Sequence, residues 1–173
     1  GYASLRVLNQ EVLAPGASFQ PRTWPKVDVL NLILEGVAEY RDSEGNHVQA
    51  QAGEALLLAA QPGISYSEHN VSKDKPLTRM QLWLDACPER ENALVQKTKL
   101  TKAKQQLIAS PDGENGSLQL RQQAWVHQIE LNQGESLSFQ LHGPRAYLQS
   151  IHGTFHAVTH DETRESLTCG DGA

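Results

Sequence analysis

The chain has 173 residues, of which 39% are hydrophobic, and a formal net charge of −5. This length can bury one sizeable core or two small ones. The acidic balance offers no basic surface for nucleic acid or an anionic membrane, and no apolar run approaches the ~20 residues of a membrane-spanning helix. The two cysteines lie far apart in sequence and suggest no disulfide framework, so a reducing compartment and a cytoplasmic location are expected.

Short apolar segments separated by turn residues predict an all-β fold. In chain order, strands are expected over residues 5–13, 27–34, 37–40, 55–60 and 77–84. Glycine-containing turns at such regular spacing are typical of antiparallel barrels and jelly rolls. Residues 42–46 are predicted to form a hairpin turn in which Gly45 and Asn46 tolerate positive φ.

The densest basic cluster near residues 16–70 comprises Lys73, Lys75 and Arg79. Three positive charges near a turn are more typical of a solvated loop than of a binding surface. The cluster is therefore predicted to be exposed.

Residues 87–116 differ in character from the strands before them. The segment is polar and is predicted to contain one short helix followed by a loop, so it is interpreted as a connector between two units. The second half then repeats the first at an offset of 117 or 118 residues, since Gly134 corresponds to Gly16 and Gly153 to Gly36. This repeat indicates duplication of one structural unit.

The repeat predicts an N-terminal barrel over 1–86 and a partial C-terminal barrel over 117–173. About thirty residues lie between Gly53 and Leu84 in the first unit, whereas only three follow Gly170 in the second. The second barrel is therefore expected to lack its final strands in this chain.

Residues 16–70 carry a spaced motif in two parts. The first part reads Gly16, five residues, Arg22-Thr23-Trp24, three residues, Asp28, seven residues, Gly36, and the second part runs from Gly63 to Asn70. This frame resembles the cupin signature, with its histidines replaced. Together with the segments LEG, RDSEGN, QAGEA and PGISYSEHN, it resembles the pirin branch of bicupins over essentially the whole chain. The resemblance implies two tandem cupin (jelly-roll) barrels.

The resemblance also locates the metal site of metal-binding pirins, at the positions of Arg22, Trp24, Tyr66 and Glu68. Arginine offers no acceptor, and tryptophan offers only an indole N–H. Tyrosine can act as a ligand only after losing a proton with a pKa near 10. One carboxylate beside a guanidinium will not retain a divalent ion, so no metal cofactor is expected.

The second unit keeps His142 in the motif frame, and His152, His156 and His160 follow. Histidines on strands are more often surface or hydrogen-bonded residues than ligands. No metal is expected in the second unit either.

Two interpretations of the first pocket stay open. In one, Arg22 and Glu68 form an ion pair that plugs the cavity, with Trp24 and Tyr66 packed around it. In the other, Arg22 binds the carboxylate or phosphate of a small molecule, with the two aromatic rings as walls.

Cys87 follows a strand end and precedes Pro88, so its side chain is expected at the barrel rim. Oxidation there would precede oxidation of Cys169, because a sulfenic acid forms where a thiolate is accessible. Cys87 is accordingly the candidate for redox sensing.

These observations favour a non-catalytic cytoplasmic protein that binds a small molecule or anion, or senses oxidation. The resemblance implies two further functions: a metal-dependent quercetin 2,3-dioxygenase, and a protein-interaction or transcriptional co-regulator module. The sequence identifies no protein partner, and no direct contact with nucleic acid or membrane is expected.

Overall fold

The computed structural model describes residues 5–130, 145–151 and 154–160. Within these ranges the chain forms β-strands joined by turns, with a single 3₁₀ turn at Glu114–Gly116. The described residues include no helix long and apolar enough to cross a membrane. The all-β prediction is therefore confirmed.

The described residues divide into two compact units. Residues 5–85 and 93–99 belong to the first unit, and residues 86–92 and those from 100 onward belong to the second. The predicted connector over 87–116 is thus shared between the units. The helix predicted within it is absent, because Val95–Lys99 and Gln105–Ser110 are strands that pair with sheet edges. Backbone pairing at a sheet edge has outweighed the local polar pattern here.

The first unit contains two antiparallel sheets. Its strands are β1 (Leu5–Leu13), β2 (Ser18–Thr23), β3 (Val27–Glu35), β4 (Val37–Asp42), β5 (His47–Gln51), β6 (Glu54–Ala60), β7 (Ser65–Asn70), β8 (Leu77–Asp85) and β9 (Val95–Lys99). One sheet has the order β1-β8-β3-β6-β9, and the other has the order β2-β7-β4-β5. Each strand predicted in this unit is present, with ends that shift by at most two residues.

The core of the first unit lies between these two sheets. Val29 and Leu58 contribute to it from one sheet, and Ala38 and Tyr66 contribute from the other. β3 is buried along seven successive residues, as expected of a strand covered on both faces. Inward-facing side chains from both sheets therefore meet in one apolar interior.

The described part of the second unit forms a further sheet. Its strands are β10 (Gln105–Ser110), β11 (Leu118–Gln119), β12 (Ala124–Glu130), β13 (Arg145–Ile151) and β14 (Thr154–His160), in the order β11-β10-β12-β14-β13. The contact between β10 and β11 is parallel, and the other pairings are antiparallel.

The hairpin turn after β4 follows the prediction except at one residue. Gly45 has a φ of 91°, whereas Asn46 is not among the described residues with positive φ. Asn46 instead uses its side chain, which donates a hydrogen bond of 2.8 Å to Asp42 Oδ2. Asp42 Oδ1 also accepts the backbone N–H groups of Glu44 and Asn46. The aspartate therefore holds the turn closed.

Gly36, which joins β3 to β4, provides a test of this packing. It has a φ of 84°, and a Cβ atom there would lie 2.4 Å from the carbonyl oxygen of Pro76. We expect Gly36→Ala to lower the free energy of unfolding by roughly 2–5 kcal/mol, from backbone strain and overpacking together. Urea denaturation followed by tryptophan fluorescence measures the loss.

Gly45→Ala is the matched control, because Gly45 has a φ of 91° and open space around its Cβ position. Gly45→Ala should lower the free energy of unfolding through backbone strain alone, by roughly 1–2 kcal/mol. Equal losses in the two variants would contradict the close approach at Gly36.

Candidate functional site

The four motif positions come together on two paired strands of the first unit. β2 carries Arg22 and leads into Trp24, and β7 carries Tyr66 and Glu68. The two strands are antiparallel, with Arg22 directly opposite Tyr66. All four side chains line the same small cavity. The four motif positions of the sequence therefore form one site in the structure.

Aromatic side chains fill most of this site. The rings of Trp24 and Tyr66 are stacked, with centroids 5.1 Å apart and planes inclined by 20°. Trp83 packs its edge against Trp24 at a centroid distance of 5.6 Å. The remaining cavity measures ≈ 10 Å³, which is about the room of one water molecule. A drug-sized molecule does not fit inside.

Glu68 is held by an arginine, but not by the predicted one. Arg79 Nη2 donates to Glu68 Oε1 at 2.8 Å, and Arg79 Nε donates to Oε2 at 3.0 Å. The Tyr40 hydroxyl also donates to Oε2. The predicted Arg22–Glu68 pair is therefore wrong, because a fully buried arginine from another strand already occupies the carboxylate.

Strand pairing explains which residues reach Glu68. Tyr40 on β4 lies directly opposite Glu68 on β7, so its hydroxyl approaches from the neighbouring strand. Arg79 comes from β8 in the other sheet and crosses the interior. Its Nη1 lies 3.5 Å from Glu11 Oε1. A network of two carboxylates, one guanidinium and one phenol thus connects the two sheets.

Burial and charge keep the protons of this network in place. Burial alone would lower the pKa of Arg79, but its hydrogen bonds to Glu68 and the Glu68 charge raise it above its ordinary value. The pKa of Tyr40 is well above its ordinary value, first because the ring is buried and then because of the Glu68 charge. Both groups therefore remain protonated donors to Glu68 near neutral pH.

The prediction that Arg79 is exposed is also wrong. Lys73 and Lys75 are exposed as expected, but Arg79 has no exposed surface. The strand alternation around it places Leu77, Arg79 and Gln81 on the same face of β8, and Leu77 and Gln81 are buried as well. In the sequence, Arg79 alternates with the apolar Met80 and Leu82, so the local pattern favoured an outward-facing side chain and did not identify it as an interior residue.

Arg22 occupies a different environment at the mouth of the cavity. Its side chain is exposed, and its Cζ lies 5.2 Å from the Trp24 ring centroid and 5.7 Å from that of Phe19. Within the described residues it makes no ion pair. The guanidinium is therefore positioned by aromatic rings, while its N–H groups face solvent.

The donor set does not fit a metal ion. Both Glu68 oxygens accept hydrogen bonds from Arg79, and the Tyr66 hydroxyl donates to the carbonyl of Ala59 at 3.2 Å. Trp24 and Arg22 offer donors only. The described ranges contain no group of three or more metal-ligating side chains. No step of any reaction is therefore assigned to a metal here.

The last residue of the motif, Asn70, has a structural role. Its side-chain Nδ2 donates to the carbonyls of Leu13, Ala14 and Lys75 at 3.0, 3.2 and 2.9 Å. Its Oδ1 accepts the backbone N–H of Ser72. The asparagine thus ties the end of β1 to the loop after β7.

Cys87 does not lie at an exposed rim. It belongs to the second unit, is 1% exposed and is disulfide-bonded. Its sulfur lies 3.6 Å from Gln122 Oε1. The expectation of an accessible Cys87 thiol is wrong, and Cys87 takes part in a disulfide although the sequence suggested no disulfide framework. Cys169 lies outside the described residues.

Two histidines of the second unit, His127 and His156, are buried among the described residues. His156 is 1% exposed, and its Nε2 lies 3.0 Å from Gln128 Oε1. Burial lowers its pKa from 6.5 to about 4, so it is neutral near pH 7. His160 ends β14, whereas His142 and His152 lie outside the described residues.

Two family models match this chain. One, described as Pirin, matches residues 2–84, and the other, described as a quercetinase C-terminal cupin domain, matches residues 107–173. The chain is 79% identical over 173 residues to the pirin-like protein YhaK of Escherichia coli K12, covering all of this chain and 74% of that protein.

A second relative is named for an enzymatic activity. The chain is 32% identical over 158 residues to a quercetin 2,3-dioxygenase of Escherichia coli K12, a match that covers 88% of this chain and 67% of that protein. Among solved structures, the crystal structure of YhaK from Escherichia coli matches with a TM-score of 0.84 and 67% identity, over 93% of this chain and 82% of that one.

The buried Glu68–Arg79 pair gives a first stability prediction for this site. Arg79→Met leaves the Glu68 carboxylate buried without its guanidinium, which should lower the free energy of unfolding by roughly 3–5 kcal/mol. Adding Glu68→Gln removes the orphaned charge, so the double variant should be more stable than Arg79→Met alone. Urea denaturation of the two single variants and the double variant gives the coupling energy.

The control for this cycle is Arg22→Met, which changes an exposed arginine of the same cavity. It should alter stability by no more than about 1 kcal/mol, the usual size of an exposed cation–π contact. A loss at Arg22 as large as that at Arg79 would contradict the assignment of the ion pair.

His156 predicts a pH dependence. The unfolded chain takes up a proton on this ring near pH 6.5, whereas the folded chain does so only at about pH 4. Stability should therefore fall as the pH drops through this window, by about 2 kcal/mol between pH 7 and pH 5 from this residue. Urea denaturation at both pH values, with His156→Gln as the comparison, isolates the effect. An unchanged pH dependence in the variant would contradict it.

Proposed function

Because the chain belongs to the pirin family of bicupins, we propose that it is a metal-free, non-catalytic member that binds a small anion at the entrance of its first barrel. The family itself does not decide between catalysis and binding, since one relative is named a pirin-like protein and another a quercetin 2,3-dioxygenase. The chemistry of the site therefore carries the proposal.

The hydrogen bonding of Glu68 gives the strongest support to a metal-free site. Glu68, the only carboxylate among the four motif positions, accepts hydrogen bonds from Arg79 and from Tyr40. A metal ion would have to displace a buried guanidinium and leave that charge without its partner, at a free energy of several kcal/mol. Activity as a metal-dependent quercetin 2,3-dioxygenase requires this displacement, so the site argues against it.

The binding half of the proposal rests on Arg22. Its guanidinium is exposed and positioned over two aromatic rings, and no described carboxylate neutralises it. A carboxylate or phosphate is the group that such a planar, forked donor recognises. Because the cavity behind it is filled, the anion would lie at the entrance rather than inside.

Oxidation sensing and co-regulation receive less support than anion binding. Sensing through a sulfenic acid at Cys87 needs an accessible thiol, but that residue is buried and disulfide-bonded. The same disulfide removes the argument for a reducing compartment, so the cytoplasmic location stays a proposal without support from the cysteines. Within the described ranges, no feature specifies a protein partner for a co-regulator.

The metal half is tested by elemental analysis of freshly purified protein, followed by oxygen uptake with quercetin. We expect far less than one iron, nickel, copper, manganese or zinc ion per chain, and no quercetin-dependent oxygen uptake. The 32% identical quercetin 2,3-dioxygenase of Escherichia coli K12, prepared in the same way, is the control. One bound metal ion per chain that disappears in Glu68→Gln would overturn this half.

The anion half is tested by titrating inorganic phosphate at constant ionic strength while the indole resonance of Trp24 is followed by NMR. Arg22→Gln should weaken binding roughly tenfold or more, since it removes a charge-assisted hydrogen bond. Arg22→Lys keeps the charge and should retain part of the affinity. Equal affinities for all three proteins would show that Arg22 does not bind the anion.

A further inference from the structure

The second unit contains a much larger cavity than the first. It measures ≈ 680 Å³, within the usual range of about 300–1,000 Å³ for small-molecule sites. Two segments of the chain form its walls, residues 90–92 and 111–125. We call it the Trp125 cavity, after the aromatic residue among those that line it.

Backbone and side-chain hydrogen bonds hold these walls together. Asn92 Nδ2 donates to the carbonyl of Gln119 at 2.8 Å, which joins the first wall segment to the second. Asp112 Oδ1 accepts the backbone N–H of Glu114 at 3.1 Å and the Ser110 hydroxyl at 3.2 Å. The cavity is therefore formed before any ligand arrives, which lowers the entropic cost of binding.

Gln123 supports the presence of a ligand site in this cavity. The residue is 7% exposed and lines the cavity, and its side-chain amide has no hydrogen-bond partner among the described residues. Neither atom of this amide is buried without a partner, so the group is open to the solvent in the cavity. It is therefore available to a ligand with hydrogen-bonding groups.

The charges around the cavity are of both signs. Glu91, Asp112 and Glu114 contribute carboxylates, and Arg90 contributes a guanidinium. Within the described residues, Arg90, Asp112 and Glu114 form no ion pair, whereas Glu91 has a partner. The Trp125 indole N–H donates to Glu114 Oε1 at 3.3 Å, which orients that carboxylate beside the ring.

This combination matches a ligand that carries both charges. An ammonium group would be attracted by the unpaired carboxylates of Asp112 and Glu114 and by the ring face of a tryptophan. A carboxylate would be attracted by the guanidinium of Arg90. A purely cationic ligand would leave the positive charge of Arg90 without a counter-charge. A purely anionic ligand would leave the negative charges of the carboxylates without one. Leu120, 1% exposed, and Trp125 supply apolar surface for the rest of the molecule.

We propose that the Trp125 cavity is a binding site for a small zwitterion with an ammonium and a carboxylate group, namely an amino acid or a dipeptide. This site is separate from Arg22 and does not depend on the function proposed for the first barrel. It would give the protein a second ligand of a different chemical class.

Isothermal titration calorimetry with L-glutamine, L-lysine, L-leucine and diglycine tests the proposal, with putrescine and succinate as singly signed comparators. We expect at least one zwitterion to bind about tenfold or more tightly than either comparator, since each comparator forfeits one set of charged hydrogen bonds. Absence of binding by all four zwitterions at millimolar concentration would overturn the proposal, as would putrescine or succinate binding equally well.

Two substitutions at the more accessible wall residues locate the site without disturbing the core. Arg90→Gln and Glu114→Gln should each weaken the zwitterion roughly tenfold. Lys102→Gln and Glu130→Gln change exposed charges of the same unit outside the cavity and should leave the affinity unchanged. Thermal unfolding of each variant checks that it is folded. Equal affinities across all four variants would place the ligand elsewhere and overturn the assignment.

Discussion

The first unit depends on a buried ion pair between Arg79 and Glu68. Each member has less than a twentieth of its surface exposed, so neither charge can be solvated if the other is lost. Such a pair adds little net stability compared with apolar packing, but breaking it is costly. Because the two residues come from opposite sheets, the pair also fixes how these sheets face each other. The residues around it must preserve both charges and exclude water.

That requirement accounts for the residues that stand at the family's metal-site positions. Where metal-binding pirins are expected to carry imidazoles, this chain has Trp24 and Tyr66, whose stacked rings leave ≈ 10 Å³ of space. The Tyr40 hydroxyl satisfies the lone pair of Glu68 that Arg79 leaves accessible. The positive charge opposite the Glu68 carboxylate is therefore a guanidinium.

The sequence predicted the architecture better than the site. The strand ends, the turn at Gly45 and the convergence of Arg22, Trp24, Tyr66 and Glu68 all followed from local patterns and motif spacing. These features depend on neighbours in the chain or on a regular register of strand pairing. The identity of the Glu68 partner did not follow, because it depends on contact between sheets. In β8, Arg79 alternates with the apolar Met80 and Leu82 and follows two lysines, so both local patterns favoured exposure.

The two cavities differ in the room that their linings leave. In the first unit, Glu68 finds its donors within the protein, and the stacked rings of Trp24 and Tyr66 leave ≈ 10 Å³. The buried Trp24 Nε1 has no hydrogen-bond partner among the described residues, so this interior has room for a water molecule at most. In the second unit, the Gln123 amide and the charges of Arg90 and Glu114 line a cavity of ≈ 680 Å³. That volume is large enough for a small molecule, and its polar lining is available to such a ligand.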